Sequence, residues 1–367
     1  MRSVRVLLTF SLCLCLTAFA FAQKFATPVP YATGALAPNG VAVGDLNGDG
    51  HLDVVVANED SPGTIAVLLG NGDGTLQAPV TYPANDWPGF VVLGDFNKDG
   101  HLDVAVANRA IGTPGQVLIF LGKGDGTLNS PTTYGPFTDA FSMAVGDVNH
   151  DGKLDIVLAD TAAGILLLGN GDGTFGTGIP IGASDAVWFA IADFNGDHQP
   201  DLAVAYNSGQ FVEIMLGNGH GTFTISTLLP VSTPPIALAA KDLNGDGVPD
   251  IAVADEAVNN LNSNVTVLLA TVGGFSATKY PYGKEPRSIA IADFNHDGKP
   301  DIVTANEFDG KVRLFMNAGG GAFRAPLVFP IGAPTAVDLA VGDLNGDGKP
   351  DIVVTDGLNA VRVMLHQ

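Results

Sequence analysis

The residues of this chain that could do chemistry are carboxylates, and they come in sets. The first set, Asp45, Asn47, Asp49 and Asp53, lies in GDLNGDGHLD. Its pattern, D-x-N-x-D-G-x-x-D, places side-chain oxygens at positions 1, 3, 5 and 9 of a short loop. A backbone carbonyl can add to them at position 7. Hard oxygen donors at alternating positions, around a turn that glycine permits, suit Ca²⁺. Mg²⁺ fits less well, because it wants a tight octahedron and keeps its waters. Zn²⁺ is disfavoured, because no Cys or clustered His joins the set.

The pattern returns six more times. It places Asp95, Asn97, Asp99 and Asp103 in the second copy, and Asp147, Asn149, Asp151 and Asp155 in the third. The fourth holds Asp193, Asn195, Asp197 and Asp201, and the fifth Asp242, Asn244, Asp246 and Asp250. The sixth holds Asp293, Asn295, Asp297 and Asp301, and the seventh Asp343, Asn345, Asp347 and Asp351. Plain turn chemistry would explain Asp, Asn and Gly in one copy. It would not require an Asp at position 9 seven times over, so up to seven bound Ca²⁺ are expected. These aspartates make up more than half of the chain's 38 acidic residues and contribute most of its formal charge of −21. Without metal, each set would repel itself at close range. In the fourth loop His198 stands where the others have Gly. If that position needs positive φ, His adopts it at a cost, so this site is expected to be the weakest or empty.

The loops are not EF-hands, which need a Glu at position 12 and flanking helices. Each is followed at once by a β-branched run such as DVVVAN, DIAVAD or DIVVTD, so position 9 opens a strand. The first aspartates are 50, 52, 46, 49, 51 and 50 residues apart, a period that defines a repeat architecture. Each repeat holds four strand-like pieces, in the first VAVGD, DVVVAN, TIAVLLG and APVTYPA. A GNGDGT-type turn joins the third piece to the fourth and recurs from Gly122, Gly169 and Gly217. Asp73, Asp125 and Asp172 of these turns are read as turn formers rather than ligands, because the other copies lack the aspartate.

Seven four-stranded units point to an all-β fold, a seven-bladed β-propeller. The last repeat stops at its third piece, AVRVMLHQ, while FATPVPYATG from Phe25 looks like LQAPVTYPAN from Leu76. Residues 25–34 are therefore expected to supply the outer strand of the last blade and close the ring, which removes an exposed edge. Residues 1–22 have a basic start, an apolar run and Ala20-Phe21-Ala22. They read as a signal peptide, with an uncleaved anchor as the alternative. Residues 23–367 then form one domain. Cys13 and Cys15 are the only cysteines and leave with the signal, so no disulfide is expected.

These loops and the L-G-N-G-D-G-T-F-type turns, as from Leu168 to Phe175, resemble the FG-GAP, or VCBS-type, repeat family. That family includes the propeller of integrin α subunits and many secreted bacterial proteins. The resemblance implies Ca²⁺ in the loop between the first and second strands of each blade, on one face of the propeller. It also implies recognition of an extracellular ligand. No inserted adhesion domain, stalk or span accompanies the repeats, so an integrin-like receptor role does not follow.

No nucleophile context or phosphate loop appears, and none of the seven His is placed like a general base. The acidic balance argues against nucleic acid and anionic membranes. The face opposite the loops carries the variable connections, where a ligand site is expected. Five residues before each first aspartate stand Gly40, Phe90, Ser142, Trp188, Ala237, Ser288 and Asp338, placed to ring the channel mouth. Trp87, Arg109, Tyr280, Tyr282 and Arg287 are expected near the same face. Trp87, Phe90, Trp188, Tyr282, Arg287 and Asp338 are the candidate ligand residues, the plainer reading of Phe90 and Trp188 being packing between blades. The expectation is a secreted, periplasmic or cell-surface protein, a monomer with no membrane span after signal cleavage. It would bind an extracellular glycan or protein and perform no chemistry. The alternatives are a polysaccharide lyase, using Asp338 with Arg287 or Tyr282, and a structural cell-envelope protein.

Overall fold

The computed structural model describes residues 23–367 apart from 110, 207, 257–262 and 284, with 282 and 283 described in backbone only. The signal-peptide reading lies outside the described residues. Among those residues there is no helix, and none long and apolar enough to cross a membrane.

The chain forms seven four-stranded antiparallel sheets. In the first blade Pro38–Gly44 is innermost, followed outward by Asp53–Asn58, Thr64–Leu68 and Val80–Pro83. The second strand of each blade reads as a continuous apolar run because sheets cover both of its faces. Asp53–Asn58, Asp103–Asn108 and Asp301–Asn306 are buried at every residue. Outer strands such as Val80–Pro83 are largely exposed. The cores lie between blades. Val55, Ile65 and Val67 of blade 1 pack with Val91, Val104, Leu118 and Phe120 of blade 2. The inner strands touch their neighbours in cyclic order, blade 7 meeting blade 1, so the sheets stand radially around a central channel.

The ring closes as the sequence implies. Val29–Ala32 pairs antiparallel with Ala360–Met364 and completes the seventh blade, with Tyr31 opposite Val361. Phe25 anchors this segment. Its ring stacks on His366 with centroids 5.1 Å apart and meets Phe329 edge-on at 5.0 Å. Blade 6 departs from the common plan with a small extra hairpin, Asn317–Gly319 against Ala322–Phe323. It lies where the third-to-fourth turn has lost its aspartate.

Phe25→Ala should lower stability by about 2–3 kcal/mol, at or just below the lower end of the range for a fully buried Phe ring, because Phe25 is only partly buried. The measurement is a urea midpoint that falls with an unchanged slope. A midpoint equal to that of the parent protein would detach the N-terminal segment from the last blade.

Candidate functional site

Two places on the ring concentrate polar chemistry: the seven acidic loops on one face and the channel mouth on the other. In the loops, the aspartate at position 9 is the organising group. Asp53 is inaccessible to solvent. Its Oδ2 accepts the Leu46 N–H at 2.9 Å and its Oδ1 accepts the Gly70 N–H at 2.8 Å. One carboxylate thus joins the start of the loop to the start of the outer turn. Gly70 is required there, because a Cβ on it would lie 2.2 Å from the Leu52 carbonyl oxygen. The same pair of bonds recurs at Asp103, Asp155, Asp201, Asp250, Asp301 and Asp351.

Burial pushes these carboxyls up in pKa against the pull of their two backbone bonds, and to about 6 at Asp301 and Asp351. The neighbouring loop aspartates add to the rise: Asp49 and Asp45 both raise Asp53. The outer members of each set fold the loop on itself. Asp45 accepts the N–H groups of Gly48 and Gly50, Asn47 Oδ1 accepts that of Asp49, and Asp49 Oδ1 accepts that of His51. Position 6 has positive φ throughout, including His198 at 65° where the others have Gly, as the sequence reading supposed. Position 4 shares this requirement, which the sequence reading missed. Lys98, His150 and His296 carry φ of 61°, 58° and 55° there.

The donor set is all oxygen, and each carboxylate oxygen has lone pairs beyond the bonds it accepts. The mutual repulsion at position 9 is the kind a cation relieves. The chemistry of the set therefore fits a hard divalent ion held by positions 1, 3, 5 and 9. As the side chains stand, among the described residues no three acidic or His groups close to metal-binding distance.

The outer turns serve as joints. Asp73 Oδ1 accepts from the Thr75 N–H and hydroxyl, which holds its carboxyl below the usual range. Asp125 and Asp172 repeat this with Thr127 and Thr174, consistent with turn formers. Each turn also grips the blade before it: the Gly74, Gly126 and Gly173 N–H groups donate to the Leu344, Leu46 and Phe96 carbonyls. Outer-strand tyrosines add a second clasp. The hydroxyls of Tyr82, Tyr134 and Tyr280 accept the N–H groups of Leu128, Phe175 and Phe323 on the following blade. Tyr280 is thus an inter-blade clasp rather than a group of the ligand face.

At the mouth a cavity of about 150 Å³ draws lining residues from all seven blades. Phe90 and Trp188 meet edge-to-face across it, centroids 5.1 Å apart, and each also packs against a core between blades. The packing reading of these rings holds, and each is only partly buried, so part of its surface stays open to the cavity. Arg109 lays its guanidinium over Phe141, 4.3 Å from the centroid, and pairs with Glu59 at 3.4 Å. Arg287 pairs with Glu307 at 3.5 Å. Asp338 lines the cavity, but its carboxylate bridges blades: Oδ2 accepts the Val41 N–H of blade 1, and the group also bonds Ser288 of blade 6. Burial raises its pKa. Trp87 sits half-buried on the connection into blade 2, at φ 59°, and is outside the cavity lining. The Tyr282 side chain lies outside the described residues.

Asn39, Phe141, Val187, Ile236, Glu256 and Val337 also line the cavity and were not singled out from the sequence. The signal was present in the repeat. Asn39, Gly89, Phe141, Val187, Ile236, Arg287 and Val337 all stand six residues before a loop aspartate. In five blades the inner strand slips register there, as between Pro88 and Phe90 or Pro286 and Ser288. Such a bulge re-aims a side chain. Pro38, Pro88, Pro235 and Pro286 precede it in four.

FG-GAP-like repeats match residues 45–106, 107–158, 147–204, 193–253 and 293–354. The chain belongs to the FG-GAP-like repeat family and is a seven-bladed β-propeller of that kind. No curated protein sequence matches it. Among solved structures it is similar to BBS1N, from a complex with ARL6DN soaked with mercury. The identity is 16%, with 94% of this chain and 96% of that one covered and a TM-score of 0.65. It is also similar to an Agrocybe aegerita lectin that recognises non-reducing terminal N-acetylglucosamine. There the identity is 20%, with 80% of each chain covered and a TM-score of 0.55. At these identities the likeness is one of fold.

Two outcomes test the site's electrostatics. In chelator, Asp103→Ala should cost about 2–4 kcal/mol, because two buried N–H groups lose their acceptor. Asp99→Ala, at an exposed carboxylate, should cost clearly less; equal urea midpoints for the two would remove position 9 from its structural role. The second concerns Asp255, which ends a strand next to Glu256. Burial pushes its carboxyl from 3.8 up to about 7. A raised acid holds its extra proton in the folded state, so its contribution is full below about pH 4 and is lost as pH rises through 7. Asp255→Asn should therefore flatten the fall in melting temperature between pH 4 and 8, and melt above the parent at pH 8.

Proposed function

We propose that this chain is a secreted, calcium-binding propeller that acts as a binding module for an extracellular glycan or protein. Its ligand sits in the mouth cavity and undergoes no reaction. The observation that carries this reading is the cavity itself, a concave site with aromatic and aliphatic walls and a few convergent polar groups. Two fold neighbours are described as bound to a protein and as recognising a sugar, which supports a binding role for this architecture. Catalysis draws less support. Asp338 is engaged with backbone amides and Arg287 with Glu307, so both members of the acid–base pair a lyase would need already have partners. Calcium in the seven loops would serve the same role by fixing the frame on which the mouth is built. The ion would be held by the Asp and Asn oxygens of each set, with the fourth loop the weakest because His198 occupies a left-handed position.

Elemental analysis of the purified mature protein should find six to seven calcium ions. His198→Gly should bring the count to seven, and EGTA should lower the melting temperature by several degrees. An unchanged melting temperature with no bound calcium ends the metal reading. A glycan and matrix-protein array, run with and without EGTA, should give calcium-dependent binding that Trp188→Ala abolishes. Unsaturated products from a uronate polysaccharide panel, seen by ultraviolet absorbance, would replace the binding role with an enzymatic one.

A further inference from the structure

The mouth cavity does not end at the channel. A second cavity, about 210 Å³, shares Asn39, Arg287 and Val337 with it. It runs outward over blade 7 between Pro38 and Leu358, with Glu59 and Glu307 along its sides. The two make one groove that starts on the Phe90–Trp188 pair and leaves the ring across the blade completed by the N-terminal strand. A compact ligand would fill only the first cavity. An extended one would use both.

The charges in this groove are unusually informative. Its two arginines are already paired, Arg109 with Glu59 and Arg287 with Glu307. Glu256 and Asp338 remain as further acids on the central wall, and the pKa of buried Glu285 is raised by its burial and then by the nearby Glu256 and Glu307. An anionic ligand would meet more carboxylates than guanidinium groups and would have to break an existing pair to gain a cation. Hydroxyl groups face no such obstacle. They can donate to Glu256 and to the carboxylates of Glu59 and Glu307, whose oxygens keep lone pairs beyond the bonds they accept, and accept from the guanidinium groups without removing either ion pair. The Trp188 ring, partly exposed beside Phe90, offers an apolar face of the kind that sugar rings cover. A peptide that docks by adding a strand would need an unpaired strand edge, whereas this groove is walled by side chains on connections and bulges.

We propose that the mouth and the groove over blade 7 form one site for a neutral oligosaccharide. One ring sits on Trp188 in the central cavity and the next rings lie along Val337, Pro38 and Leu358. This rests on the binding-module reading and commits it to a ligand class, a length and a direction.

The test is calorimetric titration of the calcium-loaded mature protein with neutral gluco- and chito-oligosaccharides of one to six residues. Oligogalacturonides of the same lengths serve as the anionic arm. Affinity for a neutral series should rise about tenfold or more from one ring to three, then level off. The anionic series should bind at least tenfold more weakly than the neutral one. Leu358→Ala, at an exposed position, should weaken the trisaccharide several-fold and leave the monosaccharide unchanged. Glu256→Gln should weaken both and should not improve uronate binding to the neutral level. Tighter binding of the uronate series, or no gain with length, overturns the proposal while leaving a glycan-binding module. Binding of a protein at the mouth, lost with Trp188→Ala while no sugar binds, overturns it in favour of a protein ligand. Absence of any ligand for the folded protein overturns this proposal and the binding reading together.

Discussion

The structure depends on one buried carboxylate used seven times. The aspartate at position 9 accepts one N–H from the beginning of its own loop and one from the beginning of the outer turn. These points are 24 residues apart in blade 1, from Leu46 to Gly70. No apolar side chain could make this joint, because both partners are backbone donors that must be satisfied once buried. The same burial makes the charged form expensive, which is why the carboxyl titrates upward despite its two bonds. Two opposed effects meet on it: burial and the neighbouring loop aspartates disfavour the charge, while the two N–H bonds favour it.

From that joint the order spreads to the next blade. Fixing the outer turn through Gly70 places Gly74 to donate to Leu344 of the preceding blade, and Tyr82 receives the backbone of the following one. Contacts within a blade and contacts between blades thus share the same few residues. This is the condition under which repeats stabilise one another and terminal units become a liability. The N-terminal strand in blade 7 removes that liability. Asp338, reaching from blade 7 to Val41 of blade 1, adds a second bond across the closure.

Most of this was legible before any coordinates. The period, the strand opening at position 9 and the segment from Phe25 determined blade number and closure, because each is a local pattern with one geometric consequence. The turn aspartates were legible for the same reason. What could not be read was anything decided by a neighbouring blade. Tyr280 looked like a surface aromatic because its acceptor role involves Phe323, on the next repeat. Trp87 looked like a mouth residue because linear distance does not reveal a bulge. The bulge turns the residue six before the loop into the channel, while the connection holding Trp87 stays outside the lining. Glu59, Glu256 and Glu307 follow buried strand ends and were hidden among ordinary connection charges.

The division of labour between the two faces follows from where the bonds run. On the loop face every residue of the pattern answers to a backbone partner, so the seven copies stay alike. At the mouth the corresponding positions are Asn, Gly, Phe, Val, Ile, Arg and Val, and few carry a ring-holding bond. The next position along carries such bonds in two blades: Ser142, donating to the Val187 carbonyl, and Asp338, accepting from the Val41 N–H, bridge inner strands. The remaining mouth positions are free to differ in size and charge without loosening the ring. A sevenfold scaffold thereby presents a cavity with no symmetry, aromatic towards blades 2 to 4 and acidic towards blades 5 to 7. The groove over blade 7 opens on the acidic side, where Arg287 is already paired with Glu307.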